Sequence, residues 1–142
     1  MSEDCIFCKI IDGEIPSAKV YEDDDVYAFL DLSQVAKGHT LVIPKKHTRN
    51  LYDTPSDVAS KLFAAVPKIA NAIKKAYQPV GLNLLNNNEA EANQSVFHLH
   101  LHLIPKYEVG EGFDVVWETH EDKYSPEDLQ NIAEEISEHI EE

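Results

Sequence analysis

The sequence predicts an α+β fold: an antiparallel sheet of about five strands with one long helix packed on it and a second helix near the C-terminus. Three observations carry that expectation. Short β-branched or alternating segments close on glycine, proline or acidic turns, a helical apolar stripe runs on from Pro55, and a capped amphipathic stretch follows Ser125. With 142 residues, 43% of them hydrophobic, the chain has the length of a single domain and can bury about two-thirds of the surface that its unfolded form exposes.

Cys5 to Ile11 is a short apolar stretch closed by Asp12-Gly13, and it reads as one or two helical turns with a glycine stop. Val20-Tyr21 and Val26 to Leu32 flank the acidic triplet Asp23-Asp24-Asp25 and read as a hairpin. His39 to Pro44 is a β-branched strand entered from Gly38 and ended by proline. Thr54-Pro55-Ser56-Asp57 starts the long helix: Thr54 is placed to cap, Pro55 suits the first helical position, and Asp57 complements the dipole. Val58, Leu62, Val66, Ile69, Ile73 and Tyr77 then share one face, running across Pro67, which is expected to kink the helix. Gly81 to Asn86 and Val96 to Pro105 are two further strands joined by the polar loop Asn87 to Ser95. After Ser125-Pro126, the residues Leu129, Ile132, Ala133, Ile136 and Ile140 line one side of the last helix. No internal repeat or Ser/Gly linker divides the chain.

Twelve Lys and Arg against 26 Asp and Glu leave a net charge of −14. That is the wrong sign for a nucleic-acid partner or an anionic membrane surface, so a phosphate-bearing ligand must be held locally. Solvated turns and faces account for the acidic clusters at Asp23 to Asp25 and Glu118 to Glu142. No apolar run approaches the roughly 18 residues of a membrane span. The acidic start Met1-Ser2-Glu3-Asp4 has no signal-peptide pattern, so a cytoplasmic protein is expected. In that compartment Cys5 and Cys8 suggest a metal or redox pair before a structural disulfide.

The most informative segment is Phe97-His98-Leu99-His100-Leu101-His102-Leu103-Ile104. Strand alternation puts the three histidines on one face and Phe97, Leu99, Leu101 and Leu103 on the other. Packing alone does not justify three imidazoles in a row, because each buried ring needs partners for both nitrogens. Two readings compete: a His-x-His pair holding a catalytic metal, or one imidazole acting as a nucleophile oriented by a neighbour. The preceding Asn93-Gln94-Ser95 offers amide, hydroxyl and backbone donors for an anionic oxygen and favours the second.

His98-Leu-His100-Leu-His102-Leu103-Ile104 resembles the His-φ-His-φ-His-φ-φ signature of the histidine triad (HIT) nucleotide hydrolases and transferases, with Gln94-Ser95 at the family's spacing. The likeness extends through Cys5-Ile-Phe-Cys8-Lys-Ile-Ile, Ala28-Phe29-Leu30-Asp31, Gly38 to His47 and Ile104-Pro105-Lys106-Tyr107. The chain looks like the zinc-containing bacterial branch close to the Hint-type nucleotide-binding proteins. That resemblance implies one HIT domain over 1–142, with its core at 5–107 and a C-terminal extension with a helix at 108–142. It also implies a two-fold homodimer pairing through the long helix and a strand edge.

By similarity, His100 attacks the α-phosphorus of a purine nucleotide to give a covalent nucleotidyl-histidine, its other ring nitrogen pinned by a backbone carbonyl. His102 then contacts the phosphate and leaving group. Ser95, Gln94 and Asn87 match positions that bind phosphate or the leaving group, and His39 matches a histidine that backs the triad of His98, His100 and His102. Ile6, Phe7, Ile10, Phe29 and Leu32 match the apolar nucleoside pocket, and Asp31 the carboxylate that accepts the ribose hydroxyls. The family's zinc-bearing members use the positions of Cys5, Cys8, His47 and His98, a saturated set that implies structural Zn2+. His120 and His139 match nothing and are expected on the surface.

One loop departs from the pattern: where the bacterial members show Gly-Glu-Ala-Ala-Gly-Gln, this chain has Glu89-Ala90-Glu91-Ala92-Asn93-Gln94. Both glycines are replaced, and Asn93, also placed against the nucleotide, can still turn left-handed. Glu89 and Glu91 are expected to bring negative charge toward an anionic substrate. The activity expected from the resemblance is hydrolysis of nucleoside phosphoramidates or aminoacyl-adenylate-like substrates. Diadenosine polyphosphate hydrolysis is the alternative within the enzyme class, and a nucleotide-binding regulatory or scaffold protein with little turnover is the alternative outside it.

Overall fold

A computed structural model describes residues 4–141; Met1 to Glu3 of the acidic N-terminal stretch and Glu142 lie outside the described residues. The element order is α1 (Ile6–Ile11), β1 (Lys19–Glu22), β2 (Val26–Leu30), β3 (Thr40–Pro44), α2 (Ser56–Tyr77), β4 (Gly81–Leu85), β5 (Leu101–Lys106) and α3 (Pro126–Glu138), with single 3-10 turns at Leu51–Asp53 and Ala90–Ala92. The five strands form one antiparallel sheet in the order β1-β2-β3-β5-β4. Among the described residues no helix is long and apolar enough to cross a membrane.

The central strands are buried on both faces because a helix covers each. Val26, Ala28, Val42, Leu101 and Leu103 point to α2 and pack with its Leu62, Ala65, Val66, Ile69 and Ile73. The alternate residues Tyr27, Phe29, Leu41 and Ile43 pack with Phe7, Cys8 and Ile10 of α1. Period two in the strands thus divides the core into an α2 side and an α1 side. The site lies on the α1 side.

Several boundaries differ from the sequence reading for identifiable reasons. Thr54 does not cap α2; its hydroxyl donates to Asn50 O at 2.6 Å, and Pro55 occupies the cap position. α2 runs through Pro67 without interruption. β2 stops at Leu30, and Asp31 turns away with its N–H donating to His39 O at 3.1 Å. The largest difference is at the histidines, since β5 begins only at Leu101. Ahead of it, Leu99 N–H donates to Thr48 O (2.9 Å) and His100 O accepts from the Asn86 side chain (3.0 Å). Loop and side-chain partners there replace the ladder, so two of the three histidines stand outside the strand. Phe97 leaves the expected apolar face and lies under the Arg49 guanidinium, 4.2 Å from ring centre to Cζ. In α3 the Ser125 capping box forms as its sequence suggests, but Leu129, Ile132, Ile136 and Ile140 remain exposed.

Candidate active site

His100 is 5% exposed, and its Nδ1 lies 2.7 Å from the carbonyl oxygen of His98. A carbonyl only accepts, so Nδ1 carries the proton and Nε2 keeps its lone pair. The edge of Phe7 meets this ring at 5.2 Å between centroids, which fixes its plane from the α1 side. Burial lowers the His100 pKa, so the ring stays neutral near pH 7. A neutral imidazole with one nitrogen anchored and the other open is equipped for nucleophilic attack.

The His102 ring lies 5.1 Å from that of His100, centroid to centroid. Val35 N–H donates to Nδ1 of His39 at 3.3 Å, so a neutral His39 holds its proton on Nε2. That Nε2 is 2.9 Å from Nδ1 of His102. His102 therefore accepts at Nδ1 and carries its own proton on Nε2. Burial first, then the neighbouring His100 and His39, push the His102 pKa down to about 4. His39 is lowered by burial as well, with Asp31 opposing; an Asp31 oxygen is 3.6 Å from its Nε2. Asp31, His39 and His102 are close enough to suggest a second metal triad. The 2.9 Å contact is a hydrogen bond, however, and is shorter than the ~3.3 Å between two nitrogens on one tetrahedral ion.

His98 is fully buried, and its Nε2 is 2.8 Å from Pro44 O, which leaves Nδ1 unprotonated. Burial pushes its pKa down to about 4. Its Nδ1 faces Cys5 Sγ at 3.3 Å and Cys8 Sγ at 3.6 Å, and Nδ1 of His47 is 3.4 Å from Cys8 Sγ. Bond lengths of ~2.3 Å to sulfur and ~2.05 Å to nitrogen at a tetrahedral centre put S and N about 3.6 Å apart. The four side chains therefore fit a tetrahedral ion, and together they could hold a metal. Two thiolates and two imidazoles leave no open position, so the ion would brace α1, the 45–50 loop and the histidine segment.

A cleft of about 260 Å³ opens beside His100 and His102. Phe7, Ile10 and Phe29 form its buried wall, Ile6 and Leu32 its exposed rim (Leu32 is 95% exposed), and Asp31 and Ser95 its polar ends. Ile15, Pro16, Ser17, Leu30, Leu41 and Val96, which the sequence did not single out for this pocket, complete the lining. Nor did the sequence single out Asn86, which holds the His100 carbonyl. Asn87 is half-buried, with a 3.5 Å contact from its amide to Asn93 O. The side chain of Gln94 is committed to the protein: its Oε1 accepts from Glu89 N–H (2.8 Å) and Asn50 Nδ2 (3.1 Å), and its Nε2 donates to Arg49 O (2.8 Å) and Val96 O (3.0 Å). Gln94 braces the loop, and Ser95 is the member of the pair that faces the cleft. Glu89 does not line the cleft; its carboxylate forms an ion pair with Arg49 at 2.8 Å. His120 and His139 are exposed.

The sequence model of the HIT domain family matches residues 12–109. The chain is 60% identical over 139 residues to the protein named hit of Bacillus subtilis (strain 168), covering 98% of this chain and 96% of the relative. It is 39% identical over 136 residues to the adenosine 5'-monophosphoramidase hnt1 of Schizosaccharomyces pombe, covering 96% and 98%. A solved HIT family protein from Bacillus anthracis matches at a TM-score of 0.96 and 56% identity, over 99% of this chain and all (100%) of that chain. A zinc-bound histidine triad family protein from Mycobacterium smegmatis matches at 0.72 and 32% identity, over 96% and 98%. The triad geometry and the sheet that carries it fall within the matched domain, and the chain belongs to the HIT, or histidine triad, family.

Proposed function

We propose that the protein is a purine nucleotide hydrolase that cleaves at the α-phosphate of nucleoside phosphoramidates or aminoacyl-adenylate-like substrates. The observation that carries this reading is the His100 ring, with Nδ1 fixed 2.7 Å from its own chain's His98 carbonyl and Nε2 open beside a second histidine of the opposite proton placement. In the first step the Nε2 lone pair of His100 attacks phosphorus. A bond from nitrogen to phosphorus forms and the bond to the leaving amine breaks; the Nε2–H of His102 donates a hydrogen bond to the departing nitrogen, which takes its proton from solvent. Water then attacks the nucleotidyl-histidine and releases one proton to solvent. The nucleoside monophosphate leaves, and the His100 lone pair is restored. Ser95 is placed to meet the phosphate, Asp31 the ribose hydroxyls, and the wall of Phe7, Ile10 and Phe29 the base. The phosphoramidase relative supports this substrate class.

The metal that suits Cys5, Cys8, His47 and His98 is zinc in a structural role, in line with the zinc-bound relative. The unit is a homodimer: β4 is an edge of the sheet with Leu82 and Leu84 exposed on it, and an open apolar edge is stable only when covered. The single domain of 1–142, with a 5–107 core, acts in the cytoplasm without a nucleic-acid or membrane partner. Turnover of adenosine 5'-phosphoramidate and of a diadenosine polyphosphate, measured beside AMP binding, tests the reading. Rapid phosphoramidate turnover is expected; preference for the dinucleotide assigns the alternative hydrolase, and AMP binding without turnover assigns a nucleotide-binding regulator.

A further inference from the structure

Glu89 has φ +81° and ψ 152°, a backbone region that is essentially reserved for glycine. A side chain kept there needs compensation elsewhere, and the bonds of Glu89 identify it. One carboxylate oxygen accepts from the Arg49 terminal nitrogen at 2.8 Å; the other accepts from Asn50 Nδ2 at 2.7 Å and from Arg49 Nε at 3.4 Å. Its own N–H donates to the Gln94 side chain (2.8 Å), and its carbonyl accepts from Gln94 N–H (3.1 Å). Residues 89–94 are thus closed on themselves and tied to residues 49 and 50 by the Glu89 carboxylate and, beside it, by the Gln94 side chain, which bonds Arg49 O and Asn50 Nδ2. Asn50 and Gln94 are both buried within this knot. Ser95 follows directly and lines the cleft with His100 and His102.

We infer that Glu89 is a positioning residue: its carboxylate clasps the loop to Arg49 and Asn50 and thereby sets Ser95 against His100. The inference deepens the hydrolase reading above and rests on it. Glycine at this position would relieve the backbone and lose the clasp, so the two contributions separate in a short series of variants. Glu89→Ala loses the clasp and keeps the strain, Glu89→Gly loses both, and Glu89→Gln keeps one acceptor oxygen but sets an NH2 against the N–H donors of Arg49 or Asn50.

The test is kcat and KM on adenosine 5'-phosphoramidate for these variants and for Arg49→Ala, with AMP binding and hydrogen exchange of the Gln94 and Ser95 amides measured in parallel. The clasp predicts that the Ala and Gly variants both lose about ten- to a hundredfold in kcat, the loss expected from misplacing a group by an ångström or less. Their loop amides should exchange faster, Glu89→Gln should fall between wild type and Glu89→Ala, and Arg49→Ala should resemble Glu89→Ala. A Glu89→Gly variant with wild-type kcat and unchanged exchange would overturn the inference, since the side chain would then be dispensable. A wild type that binds AMP but turns over nothing contradicts the hydrolase reading instead. In that case the exchange rates and AMP affinity of the same variants still decide whether the clasp orders the loop. If Glu89→Ala fails to fold, Arg49→Ala cuts the same tie from the other side.

Discussion

Nε2 of His39 lies 2.9 Å from Nδ1 of His102, and the far nitrogen of the His39 ring already accepts the Val35 amide at 3.3 Å. The Val35 N–H thereby decides, through two rings, that His102 carries its proton on Nε2. His100 is set the opposite way by its bond to the His98 carbonyl. Two neighbouring imidazoles of one protonation state thus present a lone pair and a proton, the complement that transfer to and from a nucleotide requires.

His39→Ala removes the group that fixes the His102 tautomer. The expected result is a fall of about a hundredfold in kcat on a phosphoramidate, with AMP binding within a few-fold of wild type. The loss should shrink on a substrate whose leaving group departs without a proton, such as a nitrophenyl ester of the nucleotide. An equal loss on both substrates would show that His39 acts some other way.

Zinc is expected to stabilise the fold and to take no part in the chemistry. Elemental analysis should report about one zinc per wild-type chain, and Cys5→Ser combined with Cys8→Ser should abolish metal binding. The substitutions should also lower Tm, because metal affinity assembled by folding is folding free energy, of several kcal/mol. Activity at low temperature should remain measurable, since His100 and His102 are not ligands. Immediate loss of turnover on chelation, in protein that is still folded by circular dichroism, would assign the metal a chemical role.

Burial holds His39 and His100 below the ordinary imidazole value of 6.5, and His102 at about 4. Between those limits the unfolded chain binds protons that the folded chain refuses, so stability rises with pH across the window. The contribution is fully present above pH 6.5 and is lost progressively as the pH falls toward 4. Thermal melts stepped downward through this range should show a declining Tm, and His102→Gln should flatten part of the slope. A Tm independent of pH in this range would contradict the buried, neutral triad.

Sedimentation at micromolar concentration should report about 32 kDa, twice the 16.0 kDa of one chain. Leu84→Lys, on the exposed face of β4, should shift the protein toward the monomer without unfolding it. A wild-type monomer would remove the proposed pairing.

The periodicities legible in the sequence were those of buried surfaces. Val26 to Leu30, Thr40 to Pro44 and the stripe from Leu62 to Ile73 form the elements their patterns describe, because each faces the core. The alternation at His98 and His100 misled the strand boundary: side chains alternate there, but the backbone bonds to Thr48 and Asn86 instead of a ladder. Pairings made by distant loops were invisible for the same reason. Nothing near Glu89 in the chain announces Arg49 or Asn50, 40 and 39 residues away. A glutamate also does not advertise a positive φ, as the glycine in its place would. The outward row of α3 was legible as an amphipathic face, yet the pattern does not say what the face meets, and among the described residues of the single chain nothing buries it.

The central claim is that the Nε2 of His100 forms a bond to phosphorus, and the direct measurement is to trap that species. Wild-type protein mixed with adenosine 5'-phosphoramidate is quenched in alkali within the first turnover, digested and analysed by mass spectrometry. The expected result is one nucleotidyl group on the peptide that carries His100. The adduct should be absent from His100→Ala, which should still bind AMP while losing turnover. An adduct on another residue, or a His100→Ala protein with wild-type activity, would contradict the account.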